Sequence, residues 1–377
     1  MPFAPLATVK HLIRPGQALP FNVRDADATL LLARGIRVLS QTQLDELFSR
    51  GALVDIAELP RPDADLGSVR REELPALWSR CLAQVAQTLA QARSSAGRPG
   101  FASALDAAAA PVQTLIARDP DLAIFQVLRH DHNNDVDYGA LRSMRTAITC
   151  ALVAQRLGWD AAQIERAFKV GLTMNISMLE LQGQLARQAT PPSAQQLTAL
   201  QTHPMRSARQ LEASGVRDAD WLHAVARHHE LEDGSGYPTG STDVGDLASL
   251  VRRADVYTSK LAARSHRDAL SADIAGRQMF MQDPGHPMTA ALVKEFGVYP
   301  PGCHVRLANG AMGIVVQRGP TVTTPVVACL TTPGGTTLTT PLRVETTAAE
   351  TAVVAVVGQR VVDVEATADK LMLLTLR

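Results

Sequence analysis

The sequence predicts a mostly α-helical protein, with a small α/β module before the helices and a small β module after them. From Glu72 to about residue 295, apolar residues recur at intervals of three and four, which is typical of amphipathic helices. Before residue 58, short apolar runs alternate with turn residues, and after Phe296 the composition shifts to Val, Thr, Gly and Pro. We therefore predict three units, at 1–58, 70–295 and 296–377.

The first unit carries the signals of two short strands and one helix. The run FNVRDADATLLLARG predicts two strands around a turn at 25–27. Ser40 is placed to cap a helix over TQLDELFSRG that ends at Gly51. The proline- and aspartate-rich stretch from Pro60 to Ser68 predicts a linker.

The middle unit reads as a succession of helices. The first begins near Glu72 and is interrupted by SSAGRPG at 94–100, and Pro111 predicts a kink or break in the next. Pro204 suits the first turn of a helix, so one helix is expected to start near His203. Further helices are predicted at 121–129, 140–157, 160–173, 203–213, 219–230, 246–264 and 271–281.

The last unit is predicted to be a small β module. Asn309-Gly310 stands between two alternating runs, which is a strong signal for a tight hairpin. The final run, VVAVVGQRVVDVEATADKLMLLTL, is partly strand-like and does not separate helix from strand.

The overall composition limits the classes of function. The 37 Lys and Arg residues balance 37 Asp and Glu residues, so the net charge gives no case for nucleic acid or an anionic membrane surface. The four cysteines are scattered without a CxxC pair, which argues against a zinc knot or a disulfide framework. No apolar run approaches the length of a membrane span, and we expect a cytoplasmic protein.

The most informative stretch is HHELEDGSGYP, from His228 to Pro238. Two adjacent imidazoles and the carboxylate of Glu230 make poor core filler, because each needs a partner or a metal once it is buried. A lone HH pair would fit a solvated helix end, but the full stretch resembles the HHE...DGxGYP signature of the HD-GYP family. These are bacterial metal-dependent phosphodiesterases that hydrolyse cyclic di-GMP.

The resemblance implies a helical bundle that holds two or three Fe or Mn ions through histidines and aspartates. The family's HP element matches His203-Pro204, its HH pair matches His228 and His229, and the first Asp of DxxDALTSxR matches Asp255. The metal-ligand candidates are therefore His203, His228, His229 and Asp255. The resemblance covers roughly residues 125 to 290.

Five other positions depart from the family pattern. Arg142 stands at the histidine of YxxxHS, and Met174, Asn175 and Met178 stand at the histidine, aspartate and lysine of GLLHDIGK. A guanidinium has no lone pair for a metal, and an amide lacks the charge of a bridging carboxylate. Thr258 replaces the second Asp of DxxDALTSxR. His130-Asp131 spells HD in a polar stretch outside this pattern, and we interpret it as a surface turn.

The sequence therefore favours a degenerate, non-catalytic HD-GYP protein, with no catalytic residue and no expected cofactor. As a sensor it would bind cyclic di-GMP through Tyr237, Arg264, Arg267 and Arg142. As an interaction module it would offer Gly236, Tyr237 and Pro238 to a diguanylate cyclase (GGDEF) domain. Alternatively, Arg142 only pairs with Asp255 or Glu230 and closes the site. The alternative function is a cyclic di-GMP phosphodiesterase with a reduced Fe or Mn site.

Overall fold

The structure is a computed structural model. In it the chain forms two compact units, Met1–Leu66 and Gly67–Arg377. In the first unit it describes residues 3–6, 13, 16, 18, 19, 21–25, 27–50 and 52–55. In the second it describes 69–94, 100–128, 138–262 and 269–358. The linker predicted at 60–68 lies outside the described residues.

The first unit is the predicted α/β module. Its antiparallel sheet has the order β1-β4-β2-β3, formed by β1 (Phe3–Pro5), β2 (Val23–Arg24), β3 (Leu30–Leu32) and β4 (Leu53–Asp55). Helix α1 (Gln41–Ser49) begins where the Ser40 side chain accepts from the Gln43 N–H, which confirms the predicted cap. Leu6, Phe21, Val54 and their neighbours form an apolar core.

The second unit begins with helices, and the bounds of α2 to α12 are as follows. They are α2 (Leu74–Ser94), α3 (Phe101–Arg118), α4 (Pro120–Leu128), α5 (Tyr138–Arg156), α6 (Ala161–Thr173), α7 (Leu179–Arg187), α8 (Ala194–Ala213), α9 (Ala219–Arg227), α10 (Asp246–Leu261), α11 (Ala272–Gln282) and α12 (Pro287–Phe296). Each of the helices among the described residues is too short or too polar to cross a membrane.

Three details of the helical prediction were wrong. Helix α3 continues through Pro111, which is buried inside it, so the break that was one of the two alternatives predicted there is wrong. Helix α8 begins at Ala194 rather than near His203, because Ser193 and Gln196 form a capping box, and Pro204 lies in the helix interior. Helices α7 and α12 were not among those predicted.

Helix α5 packs closely against α6 and against the start of α7. A Cβ placed on Gly171 of α6 would lie 2.7 Å from the Ala147 Cα of α5, and a Cβ on Gly139 would lie 2.3 Å from the Leu179 carbonyl oxygen. Real Cβ atoms do not approach backbone so closely, so glycine is required at both positions. These contacts fix the backbone beside the substituted positions 142 and 174.

The second unit ends in an antiparallel sheet of order β8-β7-β6-β5-β9. Its strands are β5 (His304–Leu307), β6 (Met312–Gln317), β7 (Val326–Thr331), β8 (Thr337–Glu345) and β9 (Val353–Val356). Gly310 has φ 92° and its N–H donates to Leu307, which confirms the Asn309-Gly310 hairpin between β5 and β6. Residues 359–377 lie outside the described part.

Arg318, which follows β6, joins the sheet to the helices. Its backbone N–H donates to Asp121 of α4 at 3.0 Å, and its guanidinium also binds the Asp121 carboxylate. The same guanidinium donates to the Glu295 carboxylate of α12 at 3.1 Å, and Glu295 in turn accepts from Arg156 of α5. The sheet is therefore held to α4 and α12 by charged hydrogen bonds.

Candidate metal and ligand site

Three of the predicted ligands lie together. His203 is in the interior of α8, His228 caps the end of α9, and His229 follows it. The ring centroids are 5.0 Å apart for His203 and His228, 5.1 Å for His203 and His229, and 4.3 Å for His228 and His229. One ring nitrogen from each residue lies within 4.8 Å of the others. The predicted histidine cluster is therefore present in the fold.

Backbone carbonyls orient two of these imidazoles. The His203 Nδ1 lies 2.6 Å from the Leu200 carbonyl oxygen, and the His228 Nδ1 lies 2.7 Å from that of Val225. A carbonyl oxygen only accepts, so each Nδ1 carries the proton and donates. The two Nε2 atoms then face one another at 3.1 Å. In a neutral imidazole of this tautomer, Nε2 presents a lone pair.

The three imidazoles are held in their neutral form. Burial lowers the pKa of His203 and of His229 well below the ordinary value, and the neighbouring imidazoles and the Arg142 cation act in the same direction. Burial also lowers the pKa of His228, although the nearby Asp255 charge opposes this. Near neutral pH each imidazole therefore keeps one nitrogen with a free lone pair, which is Nε2 in His203 and His228.

The loop after the histidine cluster is held to it by hydrogen bonds. Glu230 is fully buried, and its carboxylate accepts from the Thr239 N–H and hydroxyl at 2.7 Å each and from the Ser241 N–H at 3.1 Å. The Tyr237 N–H donates to the His229 carbonyl at 3.1 Å. This role of Glu230 was not predicted from the sequence, although its place shortly before a glycine turn could have suggested it.

The GYP segment itself lies against His229. The Tyr237 ring stacks on the His229 imidazole, with centroids 4.6 Å apart and an interplanar angle of 20°. A Cβ on Gly236 would lie 2.4 Å from the Leu231 nitrogen, so only glycine lets the loop pass this close. Gly236, Tyr237 and Pro238 are half-buried, while Thr239 and Gly240 beyond them are exposed.

Asp255 is engaged by Arg142. The guanidinium Nη2 donates to both carboxylate oxygens, at 2.8 and 3.0 Å, and Nε donates to Oδ1 at 3.3 Å. The side chains are 14% and 5% exposed, so this pair is largely removed from water. Burial alone would lower the pKa of Arg142, but the Asp255 carboxylate outweighs it and raises that pKa. Of the partners left open by the sequence, Arg142 binds Asp255.

The same two helices also meet at a second substituted position. Thr258 of α10, which replaces the second aspartate of the family pattern, lies with its hydroxyl 3.0 Å from that of Thr146 of α5. This contact lies one helical turn beyond the Arg142–Asp255 pair on both helices. A neutral hydroxyl pair therefore occupies a place where the family pattern has a carboxylate.

The remaining substituted residues follow α6. Met174 and Met178 are buried, and Asn175 is 1% exposed, with both polar side-chain atoms lacking a partner among the described residues. The 3₁₀ turn Ile176–Met178 lies against α8, where the Ser177 hydroxyl donates to the His203 carbonyl at 3.2 Å. The turn is thus adjacent to the histidine cluster.

Several predicted residues lie outside the described part of the chain. Arg264 and Arg267, predicted to bind ligand phosphate, fall within 263–268, and His130 and Asp131 fall within 129–137. The roles assigned to these four residues therefore stay predictions.

The similarities to known proteins agree with this geometry. No family model matches the chain. It is 27% identical over 223 residues to the cyclic di-GMP phosphodiesterase PA4108 of Pseudomonas aeruginosa, covering 57% of this chain and 52% of the relative. It is 26% identical over 143 residues to the cyclic di-GMP phosphodiesterase response regulator RpfG of Xanthomonas campestris, covering 37% of each. The chain thus spans about half the length, or less, of these curated relatives.

A solved structure shows the same fold. Bd1817, described as an HDG"Y"P protein from Bdellovibrio bacteriovorus, superposes with a TM-score of 0.51 at 15% identity, over 78% of this chain and 98% of that chain. The match supports the helical architecture rather than a shared activity. Together with the HHE and GYP residues, the histidine cluster and the two named relatives, it supports an HD-GYP domain in this chain.

Proposed function

We propose that this chain is a non-catalytic HD-GYP protein that acts in cyclic di-GMP signalling by binding. The observation that carries the proposal is the bidentate Arg142–Asp255 pair. Phosphodiester hydrolysis of the family type needs two metals joined by an anionic bridge, to acidify water and to meet the charge on phosphate. Here a fixed cation holds the carboxylate, and neutral Asn175 matches the position at which the family pattern has its bridging aspartate.

The residues present do not fit a binuclear centre. Asp255 offers both oxygens to Arg142, and Arg142, Met174 and Asn175 supply no anionic ligand between two ions. The three imidazoles do fit a single ion. Were one bound by His203, His228 and His229, it would act as a Lewis acid at the edge of the GYP loop.

Cyclic di-GMP is the ligand that this surface suits best. The face of the half-buried Tyr237 ring opposite His229 would provide a stacking face for a guanine, and Arg142, Arg264 and Arg267 would supply charge to the phosphates. Arg142 would have to share its guanidinium between Asp255 and a phosphate. If the loop instead serves a protein partner, Gly236, Tyr237 and Pro238 would contact a diguanylate cyclase domain.

Calorimetric titration of the purified protein tests the proposal. We expect cyclic di-GMP to bind, the bound dinucleotide to be recovered intact, and Tyr237→Ala to weaken binding at least tenfold. Thr239→Ser, which keeps the hydroxyl that binds Glu230, is the matched control for loop integrity. If the protein does not bind cyclic di-GMP but captures a diguanylate cyclase domain, its function is to dock a protein partner and the proposed ligand is wrong.

A second function is favoured by the histidine cluster. A reduced metal site at His203, His228 and His229 could support slow hydrolysis of cyclic di-GMP to pGpG or GMP. Assays with added Mn²⁺ or Fe²⁺ decide this directly. Product that appears with metal and disappears in His228→Ala would show that the chain is an enzyme and that the non-catalytic proposal is wrong.

A further inference from the structure

We propose that a small pocket between α5 and α10 binds one non-bridging oxygen of a phosphodiester through Tyr138, Arg142 and Arg145. The inference deepens the proposed function and rests on it, because it names the subsite that would hold a phosphate of cyclic di-GMP. None of the three clustered histidines lines this pocket. Tyr138 and Arg145 are new to the site, since the family resemblance gave neither of them a role.

One face of α5 forms most of the α5–α10 pocket. The residues that α5 contributes recur at intervals of three and four, which places them on the same side of the helix. The lining residues are Tyr138, Leu141, Arg142 and Arg145 of α5, Thr258 of α10 and Ala262 directly after α10. Tyr138, Leu141 and Arg142 are half-buried, so a ligand can reach the pocket from solvent.

The charge of the α5–α10 pocket favours an anion. Its lining residues include two guanidiniums and no carboxylate. Arg142 uses Nε and Nη2 to bind Asp255, and none of the hydrogen bonds among the described residues uses its Nη1. The Arg142–Asp255 pair is neutral as a unit, so Arg145, which is 9% exposed, gives the pocket a net positive charge. Charge-assisted hydrogen bonds to a phosphate oxygen are strong in such a largely dry region.

The Tyr138 hydroxyl adds a neutral donor. Its oxygen is buried and has no hydrogen-bond partner among the residues that the structure describes. A buried hydroxyl without a partner is unfavourable, because it has lost its hydrogen bonds to water. A phosphate oxygen in the pocket would accept the hydrogen bond that this hydroxyl donates.

The substitution at Thr258 removes a charge that would oppose an anion. The family pattern has an aspartate at this position, and a carboxylate there would repel a phosphate oxygen. The Thr258 hydroxyl is neutral and lies 3.0 Å from that of Thr146. The α10 side of the pocket is therefore compatible with a negative ligand.

The size of the pocket matches a single oxygen atom. Its volume is about 10 Å³, and one water-sized atom needs about this much space. A whole phosphate group does not fit. One non-bridging oxygen can enter, while the phosphorus and the other oxygens stay at the mouth beside the Arg142 guanidinium.

The pocket lies close to the GYP segment. Burial and the Asp255 charge raise the pKa of the Tyr237 hydroxyl, and the Arg142 cation opposes this rise, which places these three side chains near one another. A guanine stacked on Tyr237 would therefore have its phosphate within reach of Arg142. The pocket and the tyrosine face then bind different parts of the same ligand.

The test is calorimetric titration of the full-length protein with cyclic di-GMP. We expect Tyr138→Phe, which removes only the hydroxyl, and Arg145→Gln each to weaken binding by about tenfold, because each removes a hydrogen bond to a charged oxygen. Tyr299→Phe and Arg306→Gln change the same residue types outside the pocket and should leave the affinity unchanged. Arg145 is buried, so Arg145→Lys serves as a milder variant that keeps the charge and should lose less than Arg145→Gln.

Phosphorothioate analogues of cyclic di-GMP give a readout that a purely structural role would not change. In the two diastereomers, sulfur replaces one or the other non-bridging oxygen of each phosphate. Sulfur is larger than oxygen, so we expect the diastereomer that directs sulfur into the pocket to bind about tenfold more weakly than the other. This preference should shrink in Tyr138→Phe.

Two outcomes separate this inference from the proposed function. Equal affinity for both diastereomers, with unchanged cyclic di-GMP binding in Tyr138→Phe, would overturn the pocket and leave the proposed ligand in place. If unmodified protein does not bind cyclic di-GMP, the proposed ligand is wrong, and inorganic phosphate becomes the probe. Thermal stabilisation by phosphate that is lost in Arg145→Gln and kept in Arg306→Gln would still support the pocket, whereas its absence would contradict the pocket as well.

Discussion

The histidine half of the site and its arginine half satisfy their polar groups in different ways. In the histidine half, on α8 and α9, backbone carbonyls hold His203 and His228 and leave their Nε2 atoms facing one another. In the arginine half, on α5 and α10, Arg142 and Asp255 neutralise each other. A metal can enter only where lone pairs converge without a resident cation. In this chain one half of the family's ligand set keeps its imidazoles, while the carboxylate in the other half forms a salt bridge.

The strongest test of this difference is to restore the residues of the family pattern at Arg142 and at the substituted positions after α6. We expect Arg142→His, Met174→His, Asn175→Asp and Met178→Lys together to raise cyclic di-GMP hydrolysis by orders of magnitude in the presence of Mn²⁺ or Fe²⁺, because metal-activated water and charge neutralisation supply most of the barrier reduction. Chromatography of the reaction products measures the rate of cyclic di-GMP hydrolysis.

The matched control for this conversion adds His228→Ala to the four changes, which should return the rate to background. A folded quadruple variant that binds two metals and still fails to hydrolyse would mean that more than the metal ligands has been lost. Metal content therefore has to be measured alongside turnover.

The second test breaks the arginine half. Arg142→Ala would leave the Asp255 carboxylate buried without its cation, and we expect a loss of about 3–5 kcal/mol in the free energy of unfolding. Urea denaturation gives the value. The Arg142→Ala, Asp255→Ala double variant should lose less than the sum of the single variants, because neither charge remains. Additive losses would show that the two side chains do not act as a pair.

The third test uses pH to probe the histidine half. The pKa values of its three imidazoles are lowered in the folded protein, so the unfolded chain binds more protons below about pH 6.5 and stability falls as the pH drops. Between pH 7.5 and 5.5 we expect metal-free protein to lose about 2–4 kcal/mol through this cluster. His229→Gln should reduce the loss by about a third. A stability that rises on acidification would contradict the buried neutral cluster.

The smallest expected effect concerns the loop. Tyr237→Ala removes the stacking on His229 and should cost about 0.5–1.5 kcal/mol. Tyr237→Phe keeps an aromatic ring and serves as the control, with little change expected. Thermal unfolding followed by circular dichroism resolves the two. An equal loss in both variants would place the contribution in the hydroxyl rather than in the ring.

Local signals predicted much of the fold. The Ser40 cap and the Asn309-Gly310 hairpin were found because one side chain or one dipeptide specifies the backbone. The start of α8 was misplaced because Pro204 was given the first helical turn, although Ser193 and Gln196 carried a capping box eleven residues earlier. A proline inside a helix can be tolerated when tertiary packing supports it, and sequence periodicity does not report that packing.

The sequence predicted which residues belong to the site, but it did not predict how they contact one another. The motif spacing identified His203, His228 and His229, and the structure brings them together. It did not choose the partner of Arg142, because that depends on a contact between residues 113 positions apart. Nor did it show that backbone carbonyls orient the imidazoles, since those hydrogen bonds depend on where α9 ends and on the interior course of α8.

The contacts of Arg318 bear on how a shorter version of this protein should be prepared. A chain that ends at Phe296 would lack Arg318. Asp121 would then lose the guanidinium and the backbone N–H that donate to it, and Glu295 would lose Arg318 and keep its contact with Arg156. The packing of β6 against α4 would also be lost. A truncated helical fragment should therefore be less soluble and less stable than a fragment that retains residues up to 358, so recombinant work on the site is better served by the longer piece.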